Sequence, residues 1–315
     1  MAILKKSIIR MKESATGEEF TLPIADSQTS IVETHPFQEP VSMEQEQVSF
    51  GQKPVPMAQE PVPTIQEAPS VRSVGSEKAG YMSPTYTISR SVKLNPQFLV
   101  ANRCVGNQQD STELEYYKVL RTQILQRTNG GGNAVMVTSA LPGEGKTLTA
   151  INLAFTFAKE FKQTALLVDC DLRSQQIHKV LGYTSDKGIV DYLLDDCPAH
   201  ELFVWPGVDK LTVISGGKTV KDSSEMLGSP GMKNLVEDMK SKYPDRYIFF
   251  DVPPLLTSAD SLAFAPFVDH IIVTVQAGQT ALQDVNKALR LLPGEKVLGL
   301  VMNRQKQALT AVSKT

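Results

Sequence analysis

From residue 111 onward, short runs of consecutive apolar residues alternate with longer stretches in which apolar residues recur every three or four positions. The first pattern predicts buried strands and the second predicts helices. The predicted strands are Ala134–Thr138, Ala165–Asp169, Leu211–Ile214, Tyr247–Asp251, His270–Val275 and Val297–Met302. The predicted helices are 111–126, Thr147–Phe161, Pro230–Lys242, Ala259–Phe264 and Thr280–Leu291. This alternation indicates an α/β domain with a doubly wound, mostly parallel sheet that is covered on both faces.

The N-terminal third of the chain has a different pattern, because it is rich in Pro, Gln, Ser and Glu. Such a segment buries too little apolar surface to offset the entropy lost on ordering. We therefore expect a disordered arm over 1–110, one compact domain over 111–304 and a flexible tail over 305–315. The first twelve residues mix Ile and Leu with Lys and Arg. They fit either a short basic turn at an anionic membrane or, more simply, a frayed terminus.

Charge and composition exclude several classes of function. The chain has 32 Lys and Arg against 34 Asp and Glu, a net charge of -2, so no strong positive field indicates nucleic-acid binding. Its apolar runs are far shorter than the ~18 residues that a membrane span needs, so we expect any membrane association to be peripheral or through a partner. Three cysteines, Cys104, Cys170 and Cys197, lack the spacing of metal ligands, which predicts reduced thiols.

A loop with the spacing of a phosphate-binding loop follows the first predicted strand and precedes a helix. It runs from Ala140 to Thr147, with Ala in place of the usual first Gly. Backbone amides in such a loop wrap a polyphosphate, while Lys146 is expected to reach the β and γ phosphates and the Thr147 hydroxyl to bind Mg²⁺. The residues expected to bind nucleotide are Pro142, Gly143, Glu144, Gly145, Lys146, Thr147 and Leu148.

Acidic residues end two other predicted strands. Asp169 and Asp171 are two positions apart, followed by Arg173, and Asp251 precedes two prolines. Residues two apart on a strand face the same side, so both carboxylates of the pair are expected beside the phosphate loop. A lone aspartate at a strand end is usually a cap or a turn former. Beside a nucleotide loop, this set instead favours catalysis, with Asp251 holding Mg²⁺ through water as a Walker B aspartate does.

These motifs together resemble those of the bacterial tyrosine kinases that partner polysaccharide co-polymerases. The phosphate loop PGEGKT, the DxDxR strand end, the DxPP strand end and the closing strand Gly299–Asn303 occur in that family's order, over roughly residues 112–304. The resemblance implies a P-loop NTPase fold of the SIMIBI type, with ATP and Mg²⁺ as cofactors. It also implies that Asp169 is the base for the tyrosine hydroxyl and that Asp171 helps organise the metal. The expected catalytic residues are then Lys146, Asp169, Asp171 and Asp251. The expected metal ligands are Thr147, Asp171 and Asp251. Asn303 and Arg304 are candidates for holding the adenine.

The same resemblance implies partners and a location. A membrane polysaccharide co-polymerase, which acts as chain-length regulator, is expected to dock on the chain. The chain is then expected to be cytoplasmic and bound at the inner membrane through this partner. The family's ExxRxxR pattern corresponds to Glu115, Lys118 and Arg121, which are expected to join subunits of a homo-oligomer. Lys118 lacks the planar fork of Arg, and a solvated charged face explains the pattern about as well.

One departure from the family keeps rival functions open. No tyrosine follows Tyr247, so the usual acceptor tail is missing, and Tyr81 and Tyr86 in the arm are the remaining candidates by reach. The leading hypothesis is an ATP- and Mg²⁺-dependent tyrosine autokinase that regulates capsule or exopolysaccharide polymerisation and export. The alternative is an ATPase switch or assembly regulator of that machinery without tyrosine phosphorylation. Two other functions are less favoured. Partition ATPases carry a signature Lys in the phosphate loop, where this chain has Leu141. A nucleotide-bound scaffold without turnover would more often have lost one of the expected catalytic residues, which are all present here.

Overall fold

The computed structural model describes residues 90–108, 111–128, 131–242 and 245–305. The predictions for arm residues 1–89 and tail residues 306–315 lie outside the described residues. The described strands are β1 (Arg90–Ser91), β2 (Ala134–Ser139), β3 (Thr164–Asp169), β4 (Phe203–Trp205), β5 (Leu211–Ile214), β6 (Arg246–Asp251), β7 (His270–Gln276) and β8 (Val297–Asn303). The described α-helices are α1 (Pro96–Ala101), α2 (Thr112–Thr128), α3 (Lys146–Ala158), α4 (Ile177–Leu181), α5 (Ile189–Asp195), α6 (Ser223–Leu227), α7 (Pro230–Lys242), α8 (Asp260–Phe264) and α9 (Leu282–Arg290).

The described strands form one sheet in the order β1-β4-β5-β3-β6-β2-β7-β8. Neighbours in this sheet are parallel except for β4 and β5, which are antiparallel. The predicted fold class, a doubly wound and mostly parallel α/β sheet, is confirmed. In such sheets ligands bind beyond the carboxyl ends of the strands, which places the ends of β2, β3 and β6 side by side at the expected site.

Both faces of the sheet are covered by apolar clusters. Met136 of β2 packs with Leu166 of β3 in one cluster, whereas Val135 packs with Leu167 in the other. Successive side chains of a strand point to opposite faces, so this division shows that each strand contributes to two cores. Every residue of β2, β3 and β6 is consequently buried. Continuous burial explains why these strands are recognisable as unbroken apolar runs.

Helix α3, which follows the phosphate-binding loop, lies in the core. Residues 149–158 are all buried, because the helix contacts β3 and β6 on one side and α2 and the 3-10 turn Val105–Asn107 on the other. It was predicted to end at Phe161 but ends at Ala158. Phe161 instead lies 66% exposed beyond the helix. The burial of α3 on all sides fixes the position of the loop that precedes it.

The predicted boundary of the arm is wrong for residues 90–108, which are folded against the domain. Strand β1 pairs with β4, and Asn95 caps the N-terminus of α1, since its Oδ1 accepts a hydrogen bond from the Gln97 amide at 2.9 Å. Leu99 and Cys104 are buried in the core, and the Gly106 amide donates to Asn152 Oδ1 of α3 at 2.8 Å. Each element here has six residues or fewer, too short for a periodic signal in a polar sequence.

No helix within the described residues combines the length and the apolar character needed to cross a membrane.

Candidate functional site

The phosphate-loop motif lies between the end of β2 and the start of α3. Gly143 and Gly145 have φ angles of +81° and +93°, which residues with a side chain rarely adopt. A Cβ at Gly145 would lie 2.0 Å from Asn303 Nδ2, so a side chain is also sterically excluded there. Pro142 and Gly143 are exposed, whereas Leu148 packs its side chain against the core on the α3 face. The loop therefore has the left-handed glycines and the following helix that a phosphate site requires.

Lys146 lies among the predicted acidic residues. Its Nζ is 2.8 Å from Asp171 Oδ2 and 3.3 Å from Asp251 Oδ1, and it donates to Thr147 Oγ1 at 3.3 Å. The Lys146 side chain is 12% exposed. Burial by itself lowers the pKa of this ammonium group, but the charges of Asp251 and Asp171 outweigh it and raise the pKa above its ordinary value. Lys146 therefore stays charged.

Asp251 has an unsatisfied oxygen atom. Its side chain is fully buried at the end of β6, and Oδ2 has no hydrogen-bond partner. Burial raises the pKa of Asp251 although the charge of Lys146 opposes it. A buried carboxylate oxygen without a partner is costly unless a cation or a proton binds it. This atom is therefore a candidate ligand for a cation.

Asp169 has a different environment from the one predicted. Its Oδ1 accepts the Asp171 amide at 3.2 Å, and its Oδ2 accepts the amides of Gln176 and Ile177, each at 3.1 Å. We expected both carboxylates of the DxD pair to face the nucleotide, but only Asp171 contacts Lys146 directly. Strand β3 ends at Asp169, so the alternation that the prediction assumed does not continue to Asp171. Burial and the charge of Asp251 raise the pKa of Asp169 to about 7.

The predicted metal ligands fit a magnesium ion in number and type. Lys146 pairs with two carboxylates, Asp171 and Asp251, and Asp251 Oδ2 is unpaired. Thr147 adds a hydroxyl oxygen within reach of Lys146. In the described part of the chain, no three His, Cys, Asp or Glu side chains are arranged to hold a metal by themselves. Proteins usually hold Mg²⁺ by one or two carboxylates together with waters and phosphate oxygens, and Asp171 and Asp251 are carboxylates of this kind.

Asn303 lies beneath the phosphate loop. It is 3% exposed, donates from Nδ2 to the Glu144 carbonyl at 2.9 Å, and accepts the Arg304 amide at Oδ1 at 2.8 Å. The structure thus shows Asn303 supporting the loop, and the contact with adenine predicted for it stays a prediction. Arg304 is exposed and has a φ of +55°, and its contact with adenine stays a prediction.

A network around Arg173 was missed by sequence reasoning. Arg173 Nε donates to Ser223 Oγ at 2.6 Å, and Ser223 Oγ donates to Asp260 Oδ2 at 2.6 Å. Asp260 is fully buried at the start of α8, and its Oδ1 lies 3.8 Å from Arg173 Nη2. These bonds tie the DxDxR turn to α6 and α8. In the sequence, the only sign of this network is Asp260, an acidic residue that follows the DxPP motif and begins α8.

The pattern predicted to join subunits is divided between two environments. Lys118 and Glu115 form an exposed ion pair at 2.6 Å. Arg121 instead packs within the chain, donating to the Thr156 carbonyl at 2.8 Å and pairing with Glu160 at 3.0 Å. The Arg121 guanidinium thus holds α2 against the C-terminal end of α3. That Glu115, Lys118 and Arg121 join subunits stays a prediction.

Comparison with known proteins identifies the family. The sequence model of the AAA domain matches residues 133–297. The tyrosine-protein kinase YwqD of Bacillus subtilis (strain 168) is 32% identical over 199 residues, which cover 62% of this chain and 83% of YwqD. The chain belongs to the bacterial tyrosine-kinase family. The family resemblance inferred from the motifs is confirmed.

Two further relatives show how far the likeness extends. The succinoglycan biosynthesis transport protein ExoP of Rhizobium meliloti (strain 1021) is 31% identical over 64% of this chain, but the match spans only 26% of ExoP. The crystal structure of the chimerical protein CapA2B2 is 25% identical, with a TM-score of 0.61, and the match covers 71% of this chain and 96% of that one. The fold described above is therefore that of this kinase family.

Proposed function

We propose that this chain is an ATP- and Mg²⁺-dependent protein-tyrosine kinase that regulates the production and export of capsule or exopolysaccharide. The observation that carries the proposal is the position of Lys146, between Asp171 and Asp251 at the foot of the phosphate loop. The relatives support it, since YwqD is named as a tyrosine-protein kinase and ExoP as a polysaccharide transport protein.

The residues of the site can perform phosphoryl transfer mainly by positioning and charge. Lys146 supplies the positive charge for the triphosphate, and the loop amides bind its oxygens. Mg²⁺, when bound through Thr147, Asp171 and Asp251, neutralises charge on the phosphate oxygens. Asp169, whose pKa is about 7, is the proposed acceptor of the tyrosine proton at Oδ1, which accepts one backbone amide, whereas Oδ2 accepts two.

The partner and the acceptor are part of the same proposal. A membrane-bound polysaccharide co-polymerase would dock on the chain and hold it at the inner membrane from the cytoplasmic side. ExoP, which is named as a succinoglycan biosynthesis transport protein and is matched over only 26% of its length, supports such a pairing. Tyr81 and Tyr86, outside the described residues, are the proposed acceptors, and Glu115 with Lys118 the proposed subunit contacts.

Incubation of the full chain with Mg-ATP, followed by phosphotyrosine mapping by mass spectrometry, tests the proposal against its rival. Phosphotyrosine in the wild type and none in Lys146→Met supports the kinase. The second candidate is an ATPase switch that phosphorylates no tyrosine, and its motivation is the lack of tyrosine among residues 248–315. ATP turnover without phosphotyrosine supports that second candidate and excludes the first.

A further inference from the structure

The phosphate loop contains a buried carboxylate at a position where repulsion is expected. Glu144 lies between the two left-handed glycines and is only 3% exposed. A carboxylate directed toward bound phosphates would repel them strongly in a partly dehydrated site. The direction in which Glu144 points therefore decides whether the loop can accept an anion.

Two hydrogen bonds, one at each oxygen, bind the Glu144 carboxylate to the chain itself. Oε2 accepts the Leu141 amide at 2.8 Å, which closes the loop onto its own first turn. Oε1 accepts the hydroxyl of Thr280, which follows β7 and is 136 residues distant in sequence. The Thr280 oxygen in turn accepts the Gln276 amide at 2.9 Å. The hydroxyl thus joins the loop to the turn between β7 and α9.

A third bond holds the loop from the end of β8. The Asn303 Nδ2 atom donates to the Glu144 carbonyl at 2.9 Å and lies directly under Gly145. The carboxylate and the carbonyl of one loop residue are therefore held by two different strand ends. Hydrogen bonds to a charged acceptor are stronger than neutral ones, so the Thr280 contact is suited to fix the loop before any ligand binds.

We propose that Thr280 and Asn303 are positioning residues that hold Glu144, and through it the phosphate loop, in its nucleotide-accepting shape. The inference rests on the proposed function in taking the ligand to be a nucleotide polyphosphate. Neither residue needs to touch that ligand. The loop is pre-organised by the chain itself, and the turn after β7 sets its affinity.

Hydrogen exchange of the nucleotide-free protein is the direct test, because the Leu141 amide is bonded to Glu144. In Thr280→Val, which keeps the shape but removes the hydroxyl, this amide should exchange ~10-fold faster than in the wild type. Thr280→Ser retains the hydroxyl and should restore the wild-type rate. Thr128→Val is the matched control, since it removes a buried hydroxyl bonded to Tyr247 Oη at 2.6 Å in another part of the fold.

Binding of fluorescently labelled ADP with Mg²⁺ provides a second readout. We expect Thr280→Val to bind ADP ~10-fold more weakly, and Thr280→Ser and Thr128→Val to bind it like the wild type. Because Glu144 and Thr280 act through the same contact, Glu144→Gln combined with Thr280→Val should weaken binding little further. Equal Leu141 exchange in Thr280→Val and wild type would overturn the inference, as would a failure of Ser to rescue. If the wild type binds no nucleotide, the proposed function fails, while the exchange result still decides whether Thr280 holds the loop.

Discussion

The Nζ atom of Lys146 lies 2.8 Å from Asp171 Oδ2, in a site where Asp169 and Asp251 are fully buried. One ammonium group therefore compensates several carboxylates that water does not solvate. This contact joins the phosphate loop to the end of β3 and links the stability of the fold to the proposed chemistry.

Lys146→Met should destabilise the nucleotide-free protein. Removing one partner of a buried ion pair leaves the carboxylates uncompensated and costs about 3 kcal/mol of unfolding free energy. Because the buried acids can take up protons as the pH falls, the loss should be smaller at pH 5 than at pH 8. Urea unfolding at both values measures it. Lys118→Met, which breaks only the exposed pair with Glu115, is the control and should cost at most about 1 kcal/mol. Equal losses in the two variants would show that the Lys146 pair is not structurally important.

Asp169→Asn should stop phosphoryl transfer while nucleotide binding is largely kept. A general base contributes about 10²- to 10⁴-fold to the rate, and it is not needed to hold the triphosphate. Single-turnover transfer and equilibrium ATP binding separate the two effects. If binding falls as much as it does in Lys146→Met, Asp169 acts on the metal or on the loop and is not the base.

The pH dependence of kcat/KM should reflect the raised pKa of Asp169. Burial raises that pKa to about 7, so the proton-free form needed of a base is the minor form below this value and the major form above it. Activity should therefore rise as the pH increases through about 7 and then level off. A profile that is flat between pH 6 and pH 8.5 contradicts this assignment.

Ser223→Ala should destabilise the fold through the Arg173 network. The substitution removes the hydrogen bond to the buried carboxylate of Asp260 and leaves Arg173 Nε without its acceptor. An unsatisfied buried charge of this kind costs roughly 2 kcal/mol. Ser224→Ala is the matched control, because Ser224 is only half-buried and its hydroxyl bonds to the exposed Glu225. Thermal unfolding should distinguish the two, and identical midpoints would refute the role given to Ser223.

Arg121→Ala should lower the stability of the chain itself, because its guanidinium binds the Thr156 carbonyl and Glu160 within the chain. We expect a loss of about 1 to 2 kcal/mol in dilute protein, against little change for Glu115→Ala. Urea unfolding at two protein concentrations makes the comparison. A loss of stability that is seen only at high protein concentration would show that Arg121 contacts another subunit.

The sequence was sufficient where a local pattern determines the structure. The central strands are apolar throughout because both faces are buried, and Gly143 and Gly145 mark the loop because their backbone conformations exclude side chains. Long-range contacts carried no such signal. The bond between Glu144 and Thr280 joins residues that only the sheet order brings together. A strand pattern likewise does not encode the backbone amides that Asp169 accepts, because the chain turns immediately after it. The short elements of residues 90–108 lack a readable period.

Equilibrium binding of a fluorescent ATP analogue, with and without Mg²⁺, tests most directly whether the Lys146 loop and the neighbouring acids form a nucleotide site. We predict that the wild type binds with an affinity that Mg²⁺ increases, that Asp251→Asn loses this increase, and that Lys146→Met binds ~100-fold more weakly. Binding that is the same in the wild type and Lys146→Met, or no binding by the wild type at all, would contradict the account.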